Sequence, residues 1–417
     1  MSLVVTAAVA DPDLLFFPWD TPLEEWPEDI IVALPRGISR HIVRFVRIGD
    51  VVHAVKEIED SYAQREYQLL LQLQDLGVPS VEAAAVVSGR TDKNGEPLPS
   101  ALITKHLEYS LPYRAVFAST PRVDTAIRLL DALTLLFVRL HTIGFSWNDC
   151  SLSNTLFRRD AGAFAAYLVD AETGDMYPTL SAGQRAYDID TAVLNVTGEL
   201  LDLQAGGRLP ESVDPIPVGQ SLRSRYDRLW DLINAPVLLE FGDRTPLDNH
   251  IRRLNSMGFD VAGISMKNID RDRQLVDVSA KVVDAGHHAR RLIRLTGLDV
   301  EENQARRLLN DLDGYRATTA ADTPEEVVAH RWVTQVFEPV VMGIPQDLRR
   351  KLEPAEIFHE VLEHRWFTAE REQRNVPMDE ALKLYIRDVL SKKPDEATLF
   401  GNPPGVDDTV EMPVVDI

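Results

Sequence analysis

The chain has 417 residues, 45% hydrophobic and 26% charged, which is globular material long enough for about two or three domains at roughly 100–200 residues each. Its 44 Lys and Arg against 65 Asp and Glu leave a formal net charge of -21, which repels a polyphosphate backbone and sets nucleic acid aside as a main partner. A single cysteine, Cys150, excludes an intrachain disulfide framework and fits a reducing compartment.

Residues 1–30 mix acids with aromatics and prolines (Phe16, Phe17, Pro18, Trp19, Asp20, Glu24, Glu25, Trp26, Pro27) and read as an extended segment against the first domain, with a flexible arm as the alternative. No basic n-region precedes the short apolar run at 3–10. Nothing approaches about 18 uninterrupted apolar residues, so no membrane span is expected, and the chain reads as cytoplasmic. Strand-like runs at 42–48 and 51–58 flank Gly49-Asp50, the pattern of a β-hairpin. A helix is predicted over 61–76, closed by Gly77-Val78-Pro79, and two apolar runs follow at 81–87 and 101–104 around Asp92-Lys93-Asn94-Gly95. Ile127, Leu130, Leu133, Phe137 and Leu140 recur at spacings of three and four, predicting an amphipathic helix over 123–142. A loop, a short strand at 165–169 and an apolar helix at 189–203 come next.

Gly206, Gly207, Pro210, Pro215, Pro217 and Gly219 mark 206–221 as a linker or long surface loop. Beyond it, helices are predicted at 250–257, 287–296, 301–312, 324–341, 354–372 and 378–391. One hairpin interrupts them, 261–267 with 275–283, around Asp270-Arg271-Asp272-Arg273. The tail after Lys393 is acidic, contains paired prolines and reads as disordered.

Phosphoryl transfer asks little covalent chemistry of a protein; it needs metal-held phosphates, a charge clamp and a residue that orients the accepting hydroxyl. Such parts occur here in a fixed order. Lys56 ends a strand, where its ammonium would reach nucleotide phosphates, and Glu66, ten residues on, lies on the following helix and would hold that lysine by an ion pair. In Leu140-His141-Thr142-Ile143-Gly144-Phe145-Ser146-Trp147-Asn148-Asp149-Cys150-Ser151-Leu152-Ser153-Asn154, Asp149 would orient the acceptor hydroxyl and Asn154 would bind a metal ion. Asp170, after the apolar run Tyr167-Leu168-Val169, would be the second metal ligand.

This set resembles the protein-kinase-like superfamily, and especially its divergent bacterial lipopolysaccharide-kinase-like members, over residues 31 to about 205. The resemblance implies an α+β, bilobal protein-kinase-like fold: a sheet-rich small lobe at 31–108 and a short helical large lobe at 109–219. It also implies ATP and Mg²⁺ as cofactors. Residues 220–394 are similar to a C-terminal domain of unknown function found in actinobacterial proteins, through Arg252-Arg253-Leu254-Asn255-Ser256-Met257-Gly258-Phe259-Asp260 and Glu353-Pro354-Ala355-Glu356-Ile357-Phe358-His359. That domain should be mostly helical with a β-hairpin, and residues 395–417 form the acidic tail.

Departures from the family pattern carry information. The glycine-rich nucleotide loop shrinks to Pro35-Arg36-Gly37-Ile38-Ser39-Arg40, where Arg36 and Arg40 with Gly37 would stand in at the phosphates. Trp147-Asn148 replaces the His-Arg pair, removing the arginine that reads an activation-loop phosphate. Asp-Phe-Gly becomes Asp170-Ala171-Glu172, in which Glu172 would add a third carboxylate to the metal site. Asp188 or Asp190 would brace the catalytic loop.

Blander readings stand beside these. Alone, Lys56 is a solvated strand-end lysine and Glu66 an exposed helix residue; their order with the later motifs turns them into a pair. Cys150 has no pairing base in the sequence and reads as a small loop residue, not a nucleophile. His359-Glu360-Val361-Leu362-Glu363-His364 looks like a zinc-protease helix, but its second His falls at i+5, about 140° round the helix, so no zinc is expected. His287, His288, Arg290, Arg291 and Arg294 read as a solvated or ion-paired face. The leading function is ATP-dependent transfer of the γ-phosphoryl group to a hydroxyl of a small-molecule, glycan or protein acceptor. The alternative is a pseudokinase scaffold that binds nucleotide, or a protein partner through the C-terminal domain, without transfer.

Overall fold

A computed structural model describes residues 3–9, 11–32, 34, 41–119, 123–240, 245–257, 259–269, 273–282, 287–319 and 323–393. Arg36, Gly37 and Arg40 of the expected phosphate loop, the hairpin turn at 270–272 and the tail from 394 onward lie outside the described residues.

The small lobe comprises β1 (Val4–Ala7), β2 (Val43–Ile48), β3 (Val51–Ile58), α1 (Asp60–Asp75), β4 (Ala83–Ser88) and β5 (Ser100–Lys105). Its strands form one antiparallel sheet in the order β1-β4-β5-β3-β2. Both faces are covered. Val46, Ile48, Val55, Ala85, Val87 and Ile103 pack outward on Leu14, Trp19, Leu23 and Trp26, whereas Val86 and Leu102 share a core with α1. Burial on both faces is why β4 and β5 read as unbroken apolar runs with no alternation. Val4–Ala7 thus supply an edge strand, and Leu14, Trp19, Leu23 and Trp26 the outer cover of the sheet. Buried Arg90 secures that cover: it donates to Glu57 Oε1 at 2.8 Å and to the carbonyls of Trp19 and Thr21, and Glu57 also accepts from the Leu23 amide at 3.1 Å. Helix α1 buries Ala63, Glu66, Tyr67, Leu70 and Leu73, one helical face that includes a carboxylate.

The large lobe follows as β6 (Leu111–Pro112), α2 (Tyr113–Ser119), α3 (Val123–Thr142), β7 (Phe145–Ser146), β8 (Thr155–Asp160), β9 (Ala163–Leu168), β10 (Asp175–Met176), α4 (Ala182–Ala205) and α5 (Pro215–Asn234). Strand β8 is absent from the sequence reading because Arg158, Arg159 and Asp160 interrupt its apolar pattern. Helix α5 overturns the expected linker at 206–221. Pro215 and Pro217 sit in its first turn, where a missing N–H breaks no helical bond, and the Asp214 side chain accepts from the Ile216 amide at 3.1 Å. Gly219 is there for packing, since a Cβ would lie 2.1 Å from Thr197 Oγ1. Only residues 206–214 connect α4 to α5, which runs through the expected boundary at 219/220.

Next come β11 (Val237–Glu240), α6 (Thr245–Ser256), β12 (Phe259–Asn268) and β13 (Arg273–Val282), an antiparallel sheet in the order β11-β13-β12. The predicted hairpin is present and gains β11 as a third strand. Phe259, Val276, Val278 and Val282 join the same core as Leu133 of α3 and Tyr226 of α5. A separate core is built by α7 (His287–Thr296), α8 (Glu302–Thr319), α9 (Glu325–Trp332), α10 (Glu338–Met342), α11 (Pro354–Glu372) and α12 (Met378–Asp388), centred on Trp332, Phe337, Phe358 and Tyr385. The basic α7 face is ion-paired, His288 with Glu302 and Arg291 with Asp313 and Glu325. The fold is therefore α+β and bilobal, followed by a mostly helical region with a β-hairpin. No helix among the described residues is long and apolar enough to cross a membrane.

Candidate active site

The site forms where β3, α1, the loop after β7 and the segment after β9 converge. The pleat of β3 turns Val55 to the outer face and so presents Lys56 to the cleft. Its ammonium donates to Glu66 Oε2 at 3.0 Å and to Asp170 Oδ2 at 3.1 Å, and lies 3.5 Å from Glu172 Oε2. One strand, one helix and one strand end, separated by up to 114 residues, thus meet on a single nitrogen. Carboxylate oxygens of Glu66, Asp170 and Glu172 all lie within 4.8 Å of one another.

Three carboxyl groups face one ammonium, and burial acts on Lys56 and Glu66 together with these neighbours. Burial works against the Lys56 charge, but Glu66 and Asp170 outweigh it and hold its pKa above the ordinary value. Glu66 is pushed up to about 7, first by burial and then by the Asp170 charge, against the pull of Lys56. Glu66 also accepts from the Ala171 amide at 3.3 Å, so α1 is tied to the strand-end segment as well as to the lysine. His41, unflagged by the sequence, places Nε2 3.0 Å from Glu172 Oε2.

The loop at 147–154 is held from below by α4. Asp188, with no solvent exposure, accepts from the Trp147 amide at 2.7 Å and the Asn148 amide at 2.8 Å, and lies 3.1 Å from His141 Nε2 and 3.2 Å from Ser146 Oγ. A neutral imidazole satisfies this arrangement: Nε2–H donates to Asp188 while Nδ1 accepts from Tyr226 O–H at 2.7 Å, in keeping with burial lowering the His141 pKa. Asp190, the other candidate brace, is exposed and pairs with Arg223 at 2.6 Å. The helix explains the difference, because two positions on from a buried residue is about 200° round the axis.

Asn195 and Glu199 continue the Asp188 stripe at spacings of seven and four. Asn195 Nδ2 donates to Asp149 Oδ1 at 3.3 Å and to the Cys150 carbonyl at 3.0 Å. Glu199 accepts from the amides of Leu152 at 2.6 Å and Ser153 at 2.9 Å and from the Ser153 hydroxyl. Sequence reasoning passed over both, although polar residues at helical spacing from Asp188 were the available signal. Asn154 Nδ2 donates to the Asp149 carbonyl at 3.0 Å, which leaves its amide oxygen as the group of ligand character. Asn148 adopts φ 66°, a left-handed turn that asparagine tolerates, immediately before Asp149.

Trp147 and Asn148 have their own work. Fully buried Trp147 donates Nε1–H to the Asp170 carbonyl at 2.8 Å, and its carbonyl accepts from Thr173 Oγ1 at 3.0 Å. Asn148 Nδ2 donates to the Thr173 carbonyl at 3.0 Å. Arg65 donates to the carbonyls of Glu172 at 3.2 Å and Gly174 at 2.6 Å and pairs with Asp175 at 2.5 Å. Only residues 171–180 separate Asp170 from the Ser181 cap of α4, and within them β10 pairs with β7. Gly144 permits that pairing, since a Cβ there would lie 2.0 Å from the Tyr177 carbonyl oxygen at a φ of 86°. The segment that a kinase orders by phosphorylation is here short and already tied at both ends.

Mg²⁺ prefers hard oxygen donors, one or two carboxylates completed by phosphate oxygens and water. Asp170 and Glu172 offer two such carboxylates and Asn154 an amide oxygen, a donor set that fits the ion. Glu66, the most buried of the three acids, is taken up by Lys56 and Ala171. Cys150 is fully buried, with its thiol pKa well above the ordinary value, first from burial and then from Asp188, so it carries no thiolate for chemistry. His359 contacts the Arg307 guanidinium at 3.0 Å and joins no metal-ligating group among the described residues.

Residues 37–188 match the Lipopolysaccharide kinase (Kdo/WaaP) family, and residues 228–390 match the Domain of unknown function (DUF4032). Among solved structures the chain is similar to one described as "WaaP in complex with acyl carrier protein", at 17% identity and a TM-score of 0.33, over 55% of this chain and 100% of that one. No curated protein matches the chain. The kinase match spans Lys56, Glu66, Asp149, Asn154, Asp170, Glu172 and Asp188. Residues 37–188 are therefore similar to the kinase-like Lipopolysaccharide kinase (Kdo/WaaP) family, and residues 228–390 to the Domain of unknown function (DUF4032).

Proposed function

We propose that the chain transfers the γ-phosphoryl group of ATP to a hydroxyl of a small-molecule, glycan or protein acceptor. Lys56, held by Glu66, steadies the nucleotide phosphates. Asp170, Glu172 and Asn154 hold Mg²⁺, which neutralises charge on the phosphates when bound. Asp149, positioned by Asn195, accepts or orients the proton of the attacking hydroxyl. A cytoplasmic setting, with ATP at hand and the lone thiol kept reduced, suits this reading.

The observation that carries it is the convergence of Glu66, Asp170 and Glu172 on Lys56 at 3.0, 3.1 and 3.5 Å. A scaffold has no need of a buried cluster with excess negative charge, whereas a metal-nucleotide site uses both its ammonium and its carboxylates. Calorimetric titration with ATP tests this. Wild type should bind ATP more tightly with Mg²⁺ than without, Asp170→Ala should lose the Mg²⁺ dependence, and Lys56→Met should weaken binding with or without Mg²⁺. Equal ATP affinity in all three proteins, or none in any, would overturn the reading.

A further inference from the structure

Among the described residues, the region after α6 supplies none of the candidate site residues, yet it grips one element of the kinase-like lobe. Strands β8 and β9 form the hairpin whose stem joins two of the three expected metal ligands: Thr155 follows Asn154 directly, and Leu168 stands two residues before Asp170. The Val169 amide donates to the Asn154 carbonyl at 3.1 Å, closing the stem beside the site. Cross-strand pairing sets Leu156, Arg158 and Asp160 on one face with Tyr167, Ala165 and Ala163. The other face, with Phe157, Ala166 and Leu168, is buried in the large-lobe core.

The polar face meets α8, the residue before it, and the start of α11. Arg158 reaches Glu301 at 3.3 Å and Glu353 at 2.9 Å, all three side chains being less than one-fifth exposed. Tyr167 O–H donates to Glu301 at 2.6 Å. Asp160, nearly buried, accepts from the Asn303 side chain and the Gln304 amide, each at 2.8 Å. Gln304 in turn donates to the Ala355 carbonyl at 2.5 Å, tying α8 to α11 behind the contact. One arginine between two glutamates, with a tyrosine and an aspartate engaged on either side, is a directional grip that a bare apolar contact would not provide.

We propose that Arg158, Tyr167 and Asp160 are positioning residues through which the C-terminal domain sets the spacing of Asn154 and Asp170, so that this domain is an intramolecular clamp on the metal site. The function assigned to the clamp rests on reading Asn154 and Asp170 as metal ligands; the mechanical coupling does not. With the grip in place, the stem holds the two ligands in one geometry. Without it, the stem frays toward the site and the ligands lose their common frame.

Hydrogen exchange on the full-length protein tests the coupling without nucleotide, and Mg²⁺ titration of ATP binding tests its consequence. Arg158→Met should raise amide exchange at residues 152–155 and 168–171 by roughly tenfold, a local loss of about 1.4 kcal/mol. It should also raise the Mg²⁺ concentration for half-maximal ATP binding several-fold, with metal-free ATP affinity unchanged, and Arg158→Lys should restore much of both. Tyr167→Phe, a smaller change that leaves the ion pairs intact, should show the same pattern in weaker form if Arg158→Met does not fold. Raised exchange confined to residues 301–304 and 353–356, with 152–155 and 168–171 unaltered, would overturn the clamp. If wild type binds no ATP, the proposed function fails, while the exchange data still decide whether the domain holds the hairpin.

Discussion

Asp188 holds the residues just before Asp149, and Asp188→Asn isolates its contribution. The carboxylate accepts from two backbone amides, at 2.7 and 2.8 Å, and stands against His141 and Ser146, with no solvent exposure. Asparagine keeps one accepting oxygen and turns its NH₂ toward a second donor, so at least one buried amide of Trp147 or Asn148 is left unsatisfied. A buried unpaired donor costs about 1–3 kcal/mol, and the lost charge-assisted bond about 1.5–3 kcal/mol. The variant should therefore lose about 2.5–6 kcal/mol of stability. Asn148, at φ 66° with its backbone N–H donating to Asp188, would relax and carry Asp149 with it. Urea denaturation should show a lower midpoint at unchanged slope. A phosphotransfer assay should show kcat falling far more than KM changes, because the residues proposed to contact nucleotide lie on other elements. A midpoint shift worth less than about 0.5 kcal/mol, the range of ordinary surface changes, would refute the reasoning.

Three further outcomes follow from the same geometry. Cys150 should resist thiol reagents in the native protein and react only as fast as the chain unfolds, so labelling that matches the exposed-thiol rate under native conditions would contradict its burial. Gly144→Ala forces a Cβ to 2.0 Å from the Tyr177 carbonyl at φ 86°, and should destabilise by about 3 kcal/mol or more and unpair β7 from β10; a near-neutral melting temperature would be the contrary result. Asp160 has its folded pKa raised to about 7, first by burial and then by Glu301, so the folded state holds a proton that the unfolded chain releases near 3.8. Its contribution to stability is fully present below pH 3.8 and is lost as pH rises through about 7; Asp160→Asn should flatten the pH dependence of stability in that window, and an unchanged slope would contradict the assignment.

The order of Lys56, Glu66, Asp149, Asn154 and Asp170 was legible in the sequence because each sits in or just after a strand, on a helix or in a loop whose local pattern is plain; Lys56 lies inside β3, two residues before its end and not at the end expected for it. The structure brings Lys56, Glu66 and Asp170 into contact, and Asn154 onto the Asp149 carbonyl. Asp188 and Asp190 were indistinguishable in sequence, and only the rotation of α4 against the loop separates them. Helix α5 was missed because prolines that start a helix look like prolines that break one. Strand β8 was missed because Arg158 and Asp160 are polar for the sake of a partner that lies some 140–200 residues further along the chain, a contact no local window contains. Arg65, Asn195 and Glu199 act through long-range bonds to backbone, which leave no trace in composition or spacing beyond their place on a helix face.

The central claim is that this cleft moves a phosphoryl group. The most direct measurement follows the γ-phosphate of Mg²⁺-ATP by phosphorus NMR in the presence of candidate hydroxyl acceptors, with wild type and Asp149→Ala side by side. The account predicts loss of the γ-phosphoryl signal with a matching phosphoester signal on an acceptor for wild type. Asp149→Ala should retain nucleotide binding while losing transfer by about 10²-fold or more, the scale of a positioned acid–base group. Equal rates in the two proteins, or no transfer from a wild type that binds Mg²⁺-ATP across small-molecule, glycan and protein acceptors, would contradict it.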